Sequence, residues 1–215
     1  IAWLDDYDGD GNFEIAIGEA LRNTPNTDSG RVWIVDIDSA GVAQSAFGID
    51  GQVGNLTPLH TDALFGYQVE NRGDWDGDGA PELAASALLD DDGGNEQGAV
   101  YILYLDPSSA ATAIKGYTKI SATQGGFDGT LDLTNRTAFG AGIAEIGDLN
   151  GDGQTDLAVG AYRRGPEGAV YILFMDPACQ TGHLSCQVLP GVVEIAEGLG
   201  GKGPIENGDG FGLGV

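Results

Sequence analysis

A six-residue acidic motif occurs three times in the chain, at intervals of about 70 residues. It begins at Asp6, Asp74 and Asp148, and each copy reads Asp-x-(Asp/Asn)-Gly-Asp-Gly. A Phe-Gly pair and an apolar run that starts Gly-x-Val keep the same spacing. The pairs are Phe65-Gly66, Phe139-Gly140 and Phe211-Gly212, and the apolar runs begin at Gly30, Gly98 and Gly168. Three landmarks in register predict one structural unit that is built three times.

Each unit is predicted to contain four short strands. In the middle unit we expect them at about 65–72, 82–87, 98–105 and 117–122, between turns rich in Gly, Asp, Asn and Pro. The third of these runs is almost wholly apolar, which favours an inner strand buried on both faces. Helix is expected to be minor, because no longer stretch has a 3.6-residue period. Four strands per unit are typical of a propeller blade, so the sequence predicts an all-β, propeller-type array of three four-stranded blades.

The 215 residues are predicted to form one repeat region. Its repeats run over about 1–68, 69–142 and 143–214. Ile1 and Val215 then occupy the same position of the repeat, inside a strand. Because propellers usually have four to eight blades, we expect a region cut mid-strand at both ends, a segment of a longer propeller or tandem repeat.

The charge of the chain is strongly negative, with 33 Asp and Glu against 9 Lys and Arg and a formal net charge of −24. This balance argues against a nucleic-acid partner, because phosphate binding needs clustered basic residues. No apolar run is long enough to predict a membrane span. One third of the acidic residues lie in the three repeated loops, so the loops are expected to gather cations.

Each acidic loop extends to a ninth position, at Glu14, Glu82 or Asp156. Positions 1, 3, 5 and 9 offer side-chain oxygens and position 7 a carbonyl, a donor set that suits Ca²⁺. Zinc and copper are disfavoured, because the loops contain neither His nor Cys. An EF-hand is excluded, because position 12 is not Glu and strand-like sequence follows each loop. Glycine-rich hairpin turns that hold no metal are the alternative.

The third unit resembles the FG-GAP repeat, and weaker copies of the resemblance cover essentially the whole chain. The matching elements are Phe139-Gly140, the loop 147–153, the run Asp156–Ala161 and Gly168-Ala169-Val170-Tyr171. FG-GAP repeats form the blades of integrin α-subunit propellers and of many secreted bacterial proteins. The resemblance implies a Ca²⁺ ion in the hairpin between the first two strands of each blade, about three ions in all. The implied ligands are Asp6, Asp8, Asp10, Asn12 and Glu14; Asp74, Asp76, Asp78, Ala80 and Glu82; and Asp148, Asn150, Asp152, Gln154 and Asp156.

Two features depart from the family pattern. The Gly-Ala-Pro element lacks its proline in all three units, and two loops end in Glu where Asp is usual.

The resemblance also implies that partner-binding loops lie on the face opposite the calcium hairpins. These loops are expected at about 20–30, 48–64, 88–97, 123–138, 162–167 and 197–210. They share no binding pattern, so we expect a protein or glycan partner, or self-association of the repeats.

Several smaller motifs are weighed against this background. Arg72-Gly73-Asp74 spells the adhesion tripeptide RGD, but Asp74 already belongs to a metal loop, so this interpretation is set aside. The run Asp90-Asp91-Asp92 is interpreted as a solvated loop, with an additional cation site as the alternative. The only two histidines, His60 and His183, belong to no catalytic motif.

The two cysteines, Cys179 and Cys186, lie in the hairpin expected between the third and fourth strands of the last unit. A disulfide between them requires an oxidising compartment; two free thiols are the alternative.

Taken together, these features predict a calcium-stabilised, non-catalytic module for adhesion or scaffolding, secreted or at the cell surface, with self-assembly as a variant. The alternatives are the propeller part of a secreted polysaccharide-acting enzyme and a carbohydrate-binding lectin.

Overall fold

The computed structural model describes residues 1–23, 26–52, 56, 59–106, 108, 114–127, 136–181, 186–197, 206 and 208–215. Within these ranges the chain forms β-strands and one short 3₁₀ helix, and they contain no α-helix. The strands are β1 (Ala2–Asp5), β2 (Phe13–Glu19), β3 (Arg31–Ile37), β4 (Ala43–Ile49), β5 (Phe65–Asn71), β6 (Glu82–Ala87), β7 (Ala99–Leu105), β8 (Ile114–Ile120), β9 (Phe139–Glu145), β10 (Leu157–Ala161), β11 (Ala169–Leu173) and β12 (Val193–Ile195), and the 3₁₀ helix is Pro177–Thr181.

The strands form three four-stranded sheets, each an antiparallel meander. The orders are β1-β2-β3-β4, β5-β6-β7-β8 and β9-β10-β11-β12, here called the first, second and third sheets. Within each sheet, every strand pairs with the next strand in the chain, as expected when short turns join consecutive strands. The predicted all-β fold of three four-stranded, blade-like sheets is confirmed.

The predicted strands of the middle unit agree with the second sheet except at its last strand. Strand β8 begins at Ile114, three residues before the predicted start near 117. A register shift between β7 and β8 causes the difference: Tyr104 pairs with Gly116 but Leu105 pairs with Ile114, which leaves Lys115 as an extra residue. A bulge of this kind lets pairing continue past a residue that sequence alternation would exclude.

The core lies between the sheets, and β7 contributes to both sides of it. All seven residues of β7 are buried. Tyr101 and Leu103 pack into the cluster shared by the first and second sheets. Ile102 and Tyr104 pack into the cluster shared by the second and third sheets. Because alternate side chains leave opposite faces of a strand, a strand buried on both faces is apolar throughout, as predicted for this run.

The Phe-Gly pairs connect each sheet to the segment that follows it. The N–H of Phe65 donates to the carbonyl of Ser29 (3.0 Å), and that of Phe139 donates to the carbonyl of Gln97 (2.8 Å). The N–H of Phe211 donates in the same way to the carbonyl of Glu167 (2.9 Å). Each phenylalanine forms a parallel bridge with the glycine that opens the preceding apolar run: Gly30, Gly98 or Gly168. The two landmarks therefore recur in register because they contact each other.

Close backbone contact also explains a second pair of glycines. A Cβ atom at Gly160 would overlap the carbonyl oxygen of Gly212, and a Cβ atom at Gly18 would overlap that of Gly66. Between the second and third sheets the corresponding position is Ser86, whose Cβ lies 2.8 Å from a Cβ built at Gly140. Glycine at Gly18 and Gly160 therefore permits a backbone contact that a side chain would block, whereas the second sheet accommodates Ser86 at this position.

Candidate metal centres

The three acidic loops are the hairpins β1–β2, β5–β6 and β9–β10, and they lie at the same end of their sheets, here called the hairpin end. In the second hairpin, Glu82 closes the turn by exchanging backbone hydrogen bonds with Arg72 and Gly73, each of 2.8 Å. In the third, the N–H of Asp156 donates to Gly147 (2.8 Å) and its carbonyl accepts from Ile146 (3.1 Å). Equivalent residues thus close both hairpins.

The turns themselves require glycine at positions 4 and 6. In the second hairpin Gly77 and Gly79 have φ angles of +77° and +96°, and in the third Gly151 and Gly153 have φ angles of +79° and +95°. L-residues with side chains rarely adopt this left-handed conformation. The glycines turn the backbone inward, and the side chains at positions 1, 3 and 5 converge as a result.

The first aspartate of the loop organises the turn. The carboxylate of Asp74 accepts the backbone N–H groups of Gly77 (2.7 Å), Asp78 (3.0 Å) and Gly79 (3.0 Å). Asp148 accepts the three equivalent N–H groups in the third hairpin, at 2.7, 3.0 and 2.9 Å. In the first hairpin Asp6 accepts the N–H of Gly11 (3.2 Å). The repeated sequence therefore folds into a repeated local geometry.

The carboxylates at positions 1, 3 and 5 meet in the first and second hairpins. Ligand oxygens of Asp6, Asp8 and Asp10 lie within 4.8 Å of one another, and so do those of the second set. That second set is Asp74, Asp76 and Asp78. In the third hairpin Asn150 stands at position 3, where its Oδ1 accepts the N–H of Asp152 (3.0 Å). All three turns present oxygen donors, the donor type that Ca²⁺ prefers.

The residue at the seventh position of each loop, predicted to offer a carbonyl oxygen, lies next to this cluster. The N–H groups of Asn12, Ala80 and Gln154 donate to the position-5 carboxylate of their own loop, at 2.8, 2.9 and 2.8 Å. Ala80 and Gln154 are buried. These bonds hold each seventh residue beside the acidic cluster, whatever its side chain.

The ninth positions show how Glu and Asp differ in this place. Asp156 uses both oxygens, accepting the N–H groups of Leu149 (2.9 Å) and Met175 (3.0 Å). Glu82 accepts the N–H groups of Trp75 (2.6 Å) and Asp76 (3.2 Å) through Oε2 alone. Its Oε1 is buried and has no hydrogen-bond partner, and the same holds for Oε1 of Glu14. The longer side chain leaves one oxygen unpaired inside the turn.

The burial of these glutamates and the negative charge around them favour the binding of a cation. Burial, together with the neighbouring aspartates, raises the pKa of Glu82 to about 8 and that of Glu14 to about 7. An uncompensated buried carboxylate is costly. A divalent cation bonded to the unpaired oxygen would supply the missing charge, so the residues present fit the Ca²⁺ that the resemblance implies.

Two strand residues at the hairpin end were missed by sequence reasoning. Asp36 lies on β3 directly opposite Glu14, and Lys115, the bulge residue of β8, lies beside Asp76 and Asp78. Neither belongs to the nine-residue loop motif. They can be identified only from the way the strands pair, because both residues are far from the loops in sequence.

The run 90–92 at the opposite end of the sheets is a bonded cluster and not the predicted solvated loop. Asp90 is 1% exposed and accepts a 2.8 Å hydrogen bond from Lys119. Asp92 accepts hydrogen bonds from Ser121 and Thr123, each of 2.6 Å. Burial by itself raises the pKa of Asp90, but contacts with His60 and Lys119 lower it to about 2. Lys119 supplies positive charge to this cluster, which lines an open cavity of about 420 Å³.

The RGD tripeptide does not present its arginine to solvent. Arg72 is 2% exposed, its guanidinium lies 4.8 Å from the ring centroid of Trp75, and its Nη2 lies 3.2 Å from Glu145 at the end of β9. Arg72 therefore joins the second and third sheets, and Asp74 belongs to the second hairpin. An arginine buried in this way is not presented to a partner as the adhesion tripeptide requires.

Cys179 and Cys186 form the predicted disulfide, with their Cα atoms 4.8 Å apart. Both residues are 1% exposed and belong to the core between the second and third sheets. The hydroxyl of Tyr104 on β7 accepts the N–H of Cys186 (3.0 Å). The disulfide therefore anchors the connection between β11 and β12 against the neighbouring sheet.

The histidines show no catalytic arrangement in the described part of the chain. Nδ1 of His60 lies 3.0 Å from the carbonyl of Thr61, and its Nε2 accepts the N–H of Asp91 (2.8 Å). Both ring nitrogens are thus engaged by the backbone, and His183 lies outside the described residues. Across the same residues, no helix has the length and apolar character needed to cross a membrane.

The fold and the hairpins together define a class: a repeat protein made of blade-like sheets with an acidic turn at one end of each. Residues 143–173 match the model of the FG-GAP repeat family. Integrin alpha-4 of Xenopus laevis is 27% identical to the chain over 158 residues, an alignment that covers 73% of the chain and 14% of that relative. Residues 143–173 thus contain an FG-GAP repeat, and the chain is similar to an integrin α-subunit, of whose length it spans a small part.

Proposed function

We propose that the chain is a non-catalytic, extracellular adhesion or scaffolding module that Ca²⁺ stabilises. The observation that carries this proposal is the buried, unpaired Oε1 of Glu82 inside a turn that also gathers Asp74, Asp76 and Asp78. Repulsion among these carboxylates opposes folding unless a cation offsets it. A site of this kind ties the stability of the sheet to the cation.

Each hairpin is proposed to bind one Ca²⁺ ion, about three in all. Oxygen donors alone favour calcium over zinc or copper, and turns that supply several carboxylates together with carbonyls suit its high coordination number. The proposed ligands are the fifteen residues that the family resemblance implies. Ala80 illustrates the role of the seventh position, because it has only its backbone carbonyl to offer.

Calcium titration and thermal unfolding test this proposal. We expect calorimetry to count about three Ca²⁺ ions, and the melting temperature to fall markedly when EDTA replaces calcium. Asp74→Asn removes a ligand from the second hairpin and should lose one ion, whereas Glu197→Gln alters an exposed acid outside the hairpins and should lose none. An identical melting curve in calcium and in EDTA would refute calcium stabilisation.

The extracellular location is proposed from two observations. The buried disulfide requires an oxidising compartment, and the relative with 27% identity is an integrin α-subunit. The non-catalytic role is proposed from that same similarity. Fractionation of the natural source followed by thiol labelling tests the location, because a cytosolic protein with reduced Cys179 and Cys186 would contradict it.

The opposite end of the sheets is proposed as the contact surface for a protein partner or a second copy. Leu21 (70% exposed) and Tyr67 (40% exposed) lie there, around an open apolar cavity of about 450 Å³ that Ala20 and Leu64 also line. A patch of exposed apolar side chains is typical of an interaction site. Sedimentation at rising concentration tests self-association: Leu21→Ser should weaken it, and Val42→Ser, exposed in the β3–β4 turn at the hairpin end, should not. If this protein sediments as a monomer at every concentration, self-association is excluded and a different protein is the proposed partner.

A further inference from the structure

The first hairpin differs from the other two by a carboxylate that comes from a strand. Asp36 on β3 pairs directly with Glu14, the ninth position of the loop. Ligand oxygens of Asp10, Glu14 and Asp36 lie within 4.8 Å of one another. Because paired residues on neighbouring strands place their side chains on the same face of the sheet, Asp36 faces the acidic turn.

Two oxygen atoms in this group have no partner. Glu14 is 3% exposed and its Oε1 accepts no hydrogen bond. Oδ1 of Asp36 is also buried and unpartnered, while its Oδ2 lies 3.4 Å from the hydroxyl of Ser45. No described Lys or Arg forms an ion pair with either carboxylate. Among the described residues, neither oxygen has a hydrogen bond that offsets its buried charge, and a bound cation would supply that compensation.

The other hairpins lack this carboxylate. In the second sheet the residue opposite Glu82 is Tyr104. In the third sheet Leu157 pairs with Leu173, so the next residue, Phe174, corresponds to Asp36. The second hairpin moreover has the ammonium of Lys115 beside its aspartates. The three turns therefore differ in charge although their loop sequences agree.

We propose that Asp36 is an additional direct ligand of the cation in the first hairpin and makes that site the tightest of the three. This inference rests on the proposed binding of Ca²⁺ by the hairpins. The affinity of a calcium site rises with the number of carboxylates that it offers. Asp6, Asp8 and Asp10 form one carboxylate triad and Asp10, Glu14 and Asp36 form another, so five carboxylates are available at the first hairpin.

Calcium titration of Asp36→Asn tests the proposal. We expect the tightest of the sites to lose about tenfold or more in affinity and the remaining sites to keep theirs. Ser45→Ala is the matched control, because it removes only the hydroxyl beside Asp36 and leaves every carboxylate in place. The double variant Asp8→Asn/Asp36→Asn assigns the site: once Asp8 is lost from the first hairpin, Asp36→Asn should add little.

Unfolding in EDTA separates a ligand from a strand residue. Without calcium, Asp36→Asn relieves repulsion, so its melting temperature should equal or exceed that of the wild type, whereas in calcium it should fall below. A loss of the same size in EDTA and in calcium would overturn the proposal, as would unchanged affinity at every site. If the wild type itself binds no calcium, the proposed function fails first, and the titration shows this directly.

Discussion

The ammonium nitrogen of Lys115 lies 3.5 Å from Oδ2 of Asp76 in the second hairpin and also contacts Asp78. Lys115 is the extra residue at the register shift between β7 and β8. The first sheet has the same shift, and there the extra residue is Gln44, whose amide donates to Asp38 (2.8 Å). The bulge residue thus brings a positive charge to the second hairpin, whereas in the first sheet its neutral amide binds Asp38, outside the acidic turn.

The first prediction concerns this lysine. Lys115→Gln, which copies the residue of the first sheet, should raise the calcium affinity of the second hairpin about threefold to tenfold, because a competing cation is removed. In EDTA the same variant should lose about 0.5–1 kcal/mol, the usual scale of a partly exposed ion pair. Calcium titration and urea unfolding measure the two effects. Lys115→Arg keeps the charge and should change little; equal affinities for all three proteins would contradict the prediction.

The second prediction concerns pH and the buried carboxylate of Asp90. Its pKa is lowered from 3.8 to about 2 in the folded protein, so it stabilises the fold above pH 4 and this contribution disappears as the pH falls from 4 to 2. Asp90→Asn should therefore cost about 2–3 kcal/mol at pH 6 and much less near pH 2.5. Urea unfolding in the presence of EDTA measures the difference. Asp91→Asn is the control, because it removes a charge from the exposed neighbour and should cost less than Asp90→Asn at pH 6.

The third prediction concerns the disulfide. Cys179→Ala/Cys186→Ala opens a short loop and should lower the free energy of unfolding by about 2–3 kcal/mol. The expected readout is denaturant unfolding of the oxidised wild type, the reduced wild type and the double variant. The last two should agree closely, because each lacks only the covalent link. An oxidised protein no more stable than the double variant would show that the link contributes nothing.

The fourth prediction concerns the close approach of Gly160 and Gly212. A Cβ at Gly160 would overlap the backbone of Gly212, so Gly160→Ala should destabilise the protein by about 2–4 kcal/mol through overpacking. Gly214→Ala is the control, because open space surrounds that position. Thermal unfolding of both variants compares them, and equal melting temperatures would mean that the sheets can separate at no cost.

Much of the fold follows from patterns that extend over few residues. The strands of the second sheet could be predicted to within a few positions because apolar runs alternate with turn residues. The acidic turns were equally accessible, since nine consecutive residues, from Asp74 to Glu82, contain both the glycines that bend the chain and the side-chain oxygens that converge. The disulfide was predictable because Cys179 and Cys186 are the only cysteines and lie close together in the chain.

The cluster at Asp90 could not be predicted in the same way. Its partners Lys119 and Ser121 lie about thirty residues away, at the end of the last strand of the sheet. Three adjacent aspartates in a sequence usually indicate a solvated loop, and only the folded sheet places a lysine against them. Arg72 gives a second case, because its burial against Trp75 and Glu145 depends on how two sheets stack.

The sequence by itself determined the repeat, the strands and the oxygen-rich turns, because local geometry and hydrophobic alternation act between near neighbours. The tertiary structure alone decided how the three turns differ. Pairing register sets Asp36 opposite Glu14, and a bulge brings Lys115 to Asp76. Electrostatic interactions depend on distance in space and not on separation along the chain, so these charges acquire their roles only when the strands pair.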